Sequence, residues 1–333
     1  MACYPGAMTR IQEQKAGQSV RKSDVSLVLL QDLIDAILPS ALPWTVERTA
    51  AGISTQVYRL RRGTEVLYLR VAEEQAAHFA PEVYVHTLLR AQGALVPAIV
   101  FYVPYHAPLD RSILVTSEIP GTPLGQHPLD AATAAVLRAA GRDLALINQV
   151  PVTGFGWITR ETEIVTRLTA EHARYREFAL ERFEDYLTLL GQQVLTGREV
   201  VAIRAALTRH DAYMNVAQAG LAHGDFDVSH IYQHEGRYSG IIDFGEIRGT
   251  DSFYDLGHFN LQDGETLPAL LLPALLDGYR EVTPLPTDHL ARINVVSLVI
   301  GVRALARSLH RPAHSYQQFL AGALRRVLAD LRT

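Results

Sequence analysis

The sequence predicts an α+β protein of two lobes, a β-rich N-terminal lobe and a mainly helical C-terminal lobe. Three observations carry this expectation. β-rich runs follow one another from "QVYRLRR" to "RSILVTSEI"; Ala- and Leu-rich amphipathic stretches dominate after Pro120-Gly121; and one short β section, "AHGDFDVSHIYQHEGRYSGIIDFGE", interrupts the helices. The 333 residues suffice for two cores, and 48% apolar against 20% charged side chains is ordinary for a globular chain. The expected division is a tail over 1–24, an N-terminal lobe over 25–118 and a C-terminal lobe over 119–333.

Residues 1–24 are polar, with little periodicity. From Asp24 a helix is expected, with Leu27, Leu30, Leu33 and Ile34 on one face and Pro39 as its stop. Val57–Leu60 and Val66–Val71 read as strands around the turn Arg62-Gly63. Pro81 opens a helix whose apolar stripe is Val85, Leu88 and Leu89 and which Gly93 ends. "PAIVFYV" and "RSILVTSEI" supply two further strands, and residues 117–121 a hinge. Residues 130–148 and 161–215 read as helical, and the chain after 260 as helical again. Ile293, Val296, Ile300 and Ala304 fall on one helical face.

Composition excludes several classes. A net charge of −4 carries no whole-chain footprint for nucleic acid, and the single cysteine, Cys3, excludes an intrachain disulfide framework and any cysteine-rich zinc site. The most apolar stretch, Leu267–Leu276, is about half the length a bilayer requires and holds Pro268 and Pro273. The N-terminus has no apolar run behind a basic start, so a cytoplasmic protein is the expectation. Lys15 and Lys22 are the only lysines, so a cationic site beyond them must use arginine or charged histidine.

The informative segment runs from Leu221 to Phe259. It holds His223-Gly224-Asp225, then His230, then Asp243 at the end of "GIID", then Glu246, Asp251 and Asp255. Such acid density calls for a cation or a cationic ligand. A hairpin around Glu235-Gly236 brings His230 and Asp243 to one end, with Asp225 on the loop just before it. One aspartate that orients a hydroxyl, beside another that holds Mg²⁺ on nucleotide phosphates, is the arrangement phosphoryl transfer requires.

"HGDFDVSHIY…IIDFGE…DSFYDLGHF" resembles the aminoglycoside phosphotransferase family, small-molecule kinases with a protein-kinase-like fold, over residues 45–260. The resemblance implies that Asp225 is catalytic, that Asp243 binds metal, that His223 holds the loop and that "GFGWI" at 154–158 is a turn after the long helix. Where the family usually carries asparagine as a second metal ligand, this chain has His230, as do branches acting on the 2″-hydroxyl of aminoglycosides and the macrolide phosphotransferases. The family's phosphate-anchoring lysine is replaced by Arg70 in "LYLRVAE", with Glu82 as its partner; hygromycin phosphotransferases show a similar "LRV" strand. Gly52, Ser54 and Thr55 in "AAGISTQVY" sit where a phosphate-covering loop belongs, and Ser117 and Ile119 where the base of ATP or GTP meets backbone.

Acceptor contacts are expected from Glu246, Asp251, Asp255 and Glu181, with Glu177 and Asp185 on the same helical segment. That segment also reads as a solvated face paired to Arg174 and Arg182, and Tyr175, Phe178 and Phe183 read as core or as a macrolide pocket. The expected function is transfer of a phosphoryl group from ATP or GTP, with Mg²⁺, to an aminoglycoside-like alcohol. Kinases of choline, amino-alcohols, sugars or macrolides, and a nucleotide-binding module without turnover, stand as alternatives.

Overall fold

Alternation along Glu65–Val71 sets the first lobe: Leu67, Leu69 and Val71 point into one core, and Arg70 lies between them on the other face. We describe a computed structural model, covering residues 25–49, 56–128, 130–265, 270–310 and 314–332. Helix α1 (Leu27–Ile37) buries Leu30, Leu33 and Ile34. Strands β1 (Thr45–Arg48), β2 (Gln56–Arg62) and β3 (Glu65–Val71) follow, then α2 (Ala80–Ala91) with Pro81 in its first turn, β4 (Ile99–His106) and β5 (Arg111–Ser117). The sheet order is β1-β2-β3-β5-β4, antiparallel throughout, with Arg70 opposite Leu114. Helix α1 closes one face over a core that includes Tyr58, Leu60, Leu69, Ile113 and Val115.

The second lobe begins at β6 (Thr122–Pro123) and α3 (Ala131–Asn148), whose N-terminus is closed by reciprocal bonds between Asp130 and Thr133. After α3 the structure departs from the helical expectation. Strands β7 (Pro151–Thr153), β8 (Phe155–Ile158) and β9 (Leu168–His172) precede α4 (Tyr175–Ala179), α5 (Phe183–Gln193) and α6 (Gly197–Arg209). Phe155–Ile158 is thus a strand rather than a turn, and the helices of 161–215 start only at Tyr175. The three strands close a small barrel with β10 (Ala219–Ala222) and a later strand, β13 (Arg248–Thr250). Runs this short carry too few residues to display a period.

Between β10 and β13 stands the hairpin of β11 (Ile231–His234) and β12 (Arg237–Ile241), joined on its outer edge by β6. Helices α7 (Tyr254–Gln262), α8 (Leu272–Val282), α9 (His289–Ser308) and α10 (His314–Asp330) complete the lobe. Helices α3 and α8 meet through glycines: a Cβ on Gly141 would lie 2.1 Å from the Leu275 carbonyl, and one on Gly278 1.7 Å from that of Arg138. By length and composition α9 could cross a membrane, but most of its surface is buried in this lobe, Ile293, Val296 and Ile300 included.

Candidate active site

Strand β10 ends by feeding His223-Gly224-Asp225 into a sharply turned loop. Gly224 adopts φ +92°, and a Cβ there would lie 1.9 Å from the Glu246 carbonyl, so only glycine fits. The loop is pinned from below by Asp255, at the start of α7 and fully buried. Its carboxylate accepts the N–H groups of His223 and Gly224, each at 2.9 Å, and the Asn148 amide, also at 2.9 Å. His223 donates from Nε2 to the Ile242 carbonyl at 2.8 Å, so its Nδ1 accepts the Asp225 N–H at 3.4 Å. Burial, reinforced by neighbouring His230, pushes the His223 pKa down and keeps the ring in this neutral tautomer. The Asp225 side chain remains 44% exposed.

The hairpin brings His230 and Asp243 together. Nδ1 of His230 donates to the Asp225 carbonyl at 2.6 Å, which leaves the Nε2 lone pair 3.8 Å from Oδ2 of Asp243. Asp243 adopts φ +67° and accepts the Gly245 N–H. Partial desolvation would raise its pKa, but Arg70, His230 and His223 together with that N–H hold it below the usual carboxylate range. For His230, burial opposes protonation, yet Asp227, Asp225 and Asp243 outweigh it and raise the pKa. A carboxylate oxygen and an imidazole lone pair, both directed to one space, fit a divalent cation, although imidazole suits Mg²⁺ less well than oxygen does.

Behind them, Glu82 on α2 is almost wholly buried and paired to Arg70 of β3. A second arginine, Arg160, donates to the other Glu82 oxygen at 2.7 Å and to the Gly245 carbonyl at 2.9 Å. Burial alone would raise the Glu82 pKa; the two guanidiniums override it and lower it. Arg70 also lies over the Phe79 ring, 4.9 Å from its centroid. No local sequence signal marks Arg160, whose partners lie 78 and 85 residues away.

The other expected residues divide. Gly52, Ser54 and Thr55 lie outside the described residues. The Ser117 N–H is engaged by the Ala98 carbonyl at 2.9 Å, and Ile119 is buried. Glu246 borders the loop, its carboxylate 3.1 Å from Arg248, and Glu181 is exposed. Two expected acceptor contacts are corrected. Asp255 is sealed beneath the His223–Asp225 loop, and Asp251, also buried, lines a cavity of about 430 Å³ with Tyr213, Phe253 and Arg292, none of whose lining residues is Asp225, His230 or Asp243. Glu177 and Asp185 pair with Arg174 and Arg182, while Tyr175, Phe178 and Phe183 are core.

Sequence reasoning missed the groups on the open side of Asp225. His258 of α7 places Nε2 3.4 Å from Asp225 Oδ1. Asp225, Asp227 and His258 each bring a ligand atom within 4.8 Å of the others, close enough to share a cation. Partial desolvation and nearby Asp227 raise the pKa of Glu265.

Comparison with known proteins follows this geometry. Residues 45–292 match the model of the family described as Phosphotransferase enzyme family, APH. A search of curated proteins gives no significant match. Among solved structures, a thermostable mutant of aminoglycoside phosphotransferase APH(4)-Ia superposes with a TM-score of 0.63 at 16% identity, covering 90% of this chain and 98% of that one. A fructosamine-3-kinase-type protein from Thermobifida fusca YX-ER1 gives 0.60 at 19% identity, covering 91% and 100%. Macrolide 2'-phosphotransferase MphH from Brachybacterium faecium gives 0.57 at 16% identity, covering 90% and 97%. At these identities the superpositions establish a shared fold.

Proposed function

This chain belongs to the phosphotransferase enzyme family, whose members move a phosphoryl group onto hydroxyls, and from that premise we propose that it transfers the γ-phosphoryl group of ATP or GTP to an aminoglycoside-like alcohol. One observation carries the reading: the half-exposed Asp225 carboxylate stands beside the His230–Asp243 pair, with the Arg70–Glu82 pair behind. Asp225 orients the acceptor hydroxyl and takes its proton as the new oxygen–phosphorus bond forms and the bond to the leaving nucleoside diphosphate breaks. Asp243 and His230 are the residues that would hold Mg²⁺. When bound, the ion neutralises charge on the nucleotide phosphates. Arg70, steadied by Glu82, grounds those phosphates through its remaining N–H groups. The resemblance of the sequence assigns the phosphate cover to Gly52, Ser54 and Thr55 and the contact with the base to backbone around Ser117 and Ile119.

For the acceptor, Asp227 and Glu265 beside Asp225, with Glu246 and Glu181 as further contacts, favour a polyhydroxylated cation. A complex of APH(4)-Ia with AMP-PNP and hygromycin B supports nucleotide and aminoglycoside as the two partners. The macrolide and fructosamine-3-kinase-type neighbours support a second reading, in which the acceptor is a macrolide or a metabolite amino sugar. In either case the enzyme works in the cytoplasm on small molecules, and with an antibiotic acceptor its role is resistance. Incubation with Mg²⁺, ATP or GTP and a panel of aminoglycosides, macrolides and amino-alcohols tests this by mass spectrometry. An acceptor heavier by one phosphoryl group, lost in Asp225→Asn, is the expected result; product formed equally by that variant would refute the assignment.

A further inference from the structure

We propose that His258 is a positioning residue for this transfer, holding one oxygen of the Asp225 carboxylate and leaving the other to the acceptor hydroxyl. The inference rests on the reading of Asp225 given above. Asp255 fixes the start of α7 to the catalytic loop through the N–H groups of His223 and Gly224. Three residues further along the same helix, His258 is therefore held on the side of that loop. Its side chain is only 10% exposed. Nδ1 stands 3.2 Å from the Phe226 carbonyl and Nε2 3.4 Å from Asp225 Oδ1, so both ring nitrogens face oxygens that only accept. Of the two carboxylate oxygens, Oδ1 is thus the one an imidazole nitrogen approaches, at an ion-pair distance that a modest turn of the ring would shorten to a hydrogen bond.

The other oxygen is treated differently. Asp225 Oδ2 is 4.0 Å from Nδ1 of His230, whose proton is engaged by the Asp225 carbonyl at 2.6 Å. Among the described residues no hydrogen bond reaches either oxygen, but Oδ1 has the nearer imidazole nitrogen, at 3.4 Å against 4.0 Å for Oδ2. A half-exposed carboxylate turns easily about its last torsion, which has broad, two-fold preferences. The closer approach of His258 to Oδ1 biases that plane and keeps Oδ2 available. His258 exchanges no proton or electron pair in the step: the hydroxyl proton passes to Oδ2, and the leaving pair stays on the nucleoside diphosphate. Catalysis by positioning is sensitive to displacements of an ångström.

The test compares His258→Gln, whose amide can place N–H where Nε2 stands, with His258→Asn and His258→Leu, which cannot. Rates are read for transfer from Mg·ATP or Mg·GTP to water and to whichever alcohol of the panel accepts. We expect kcat to fall roughly 10- to 100-fold in the Leu and Asn variants, with nucleotide KM within about 2-fold, and to recover largely in Gln. Thermal melts identify the folded variants, and the Gln–Asn contrast is read between folded proteins. Unchanged kcat in folded Leu and Asn variants overturns the inference, as does a raised Mg²⁺ requirement with kcat intact at saturating metal, which would make His258 a metal ligand. Asp225→Asn separates the two readings: if it is inactive while the His258 variants are fully active, the positioning role alone falls. If Asp225→Asn stays active, or the unmodified enzyme transfers to neither water nor alcohol, both fall.

Discussion

Asp255→Asn tests whether the buried acid under the catalytic loop is a structural clamp or an acceptor contact. The exchange preserves volume but replaces one of two accepting oxygens by a donor. Oδ2 receives two N–H groups, from His223 and Asn148, and Oδ1 receives one, from Gly224. The favoured amide orientation keeps oxygen on the two-donor side and sets NH₂ against the Gly224 N–H. An unsatisfied buried donor costs about 1–3 kcal/mol, and two surviving bonds that lose charge assistance give up about 0.5 kcal/mol or more each. The sum is roughly 3 kcal/mol, which for a lobe of this size lowers Tm by about 6–12 °C. Differential scanning fluorimetry with and without Mg·ATP reads the loss, and steady-state kinetics read kcat, which falls because Gly224-Asp225 is no longer held. An acceptor-binding role predicts the opposite pattern, raised acceptor KM with Tm unchanged. An Asp255→Asn protein melting within about 1 °C of the parent would refute the clamp.

Other outcomes follow from the same geometry. Gly224→Ala forces a residue at φ +92° against the Glu246 carbonyl, and should destabilise by about 3 kcal/mol or fail to fold, as urea unfolding would report. Glu82 has a lowered pKa in the fold, so its contribution is fully present above its ordinary value of 4.5 and is lost as pH falls through the depressed one. Melting from pH 7 to 3 should therefore show the gap between parent and Glu82→Gln closing at the acid end, from about 3–5 kcal/mol at neutrality. Arg70→Met should raise nucleotide KM more than 10-fold, measured by initial rates at saturating acceptor, and Arg70→Lys by less; this order tests the phosphate-anchor assignment.

What was legible in the sequence was contiguous. The "HGD" loop, the hairpin around Glu235-Gly236 and the strand that carries Arg70 are each built from neighbours in the chain, where periodicity and turn chemistry act. The barrel strands β7, β8 and β9 have 3, 4 and 5 residues, too few to show a period. From the sequence Asp255 is expected as an acceptor contact because it is an acid in the segment following Asp243, where a cationic acceptor would meet it; spacing carries no record of burial, and here three N–H groups make burial tolerable. Arg160 and His258 were invisible because their partners arrive from distant elements, and an arginine after a strand or a histidine in a helix carries no signal of its own.

The second arginine on Glu82 changes how an anchor without lysine can work. A lysine–glutamate pair is neutral as a unit, with the ammonium shared between carboxylate and phosphate. Here one carboxylate is met by two guanidiniums, Arg70 on one oxygen and Arg160 on the other, so the triad keeps one net positive charge. Asp243 stands close enough to Arg70 to lower its own pKa, and Nη2 of Arg70 reaches toward Gly245 of the metal loop. Arg160 meanwhile ties Glu82 of the first lobe to the Gly245 carbonyl of the second. Arg70 can then turn N–H groups to phosphate without leaving Glu82 uncompensated, because Arg160 stays in place. Loss of Arg160 should consequently look like loss of nucleotide affinity, although Arg160 is placed to touch the acid and the metal loop rather than the phosphates. Arg160→Met should raise nucleotide KM several-fold by initial-rate kinetics; an unchanged KM would show that the single Arg70–Glu82 pair suffices.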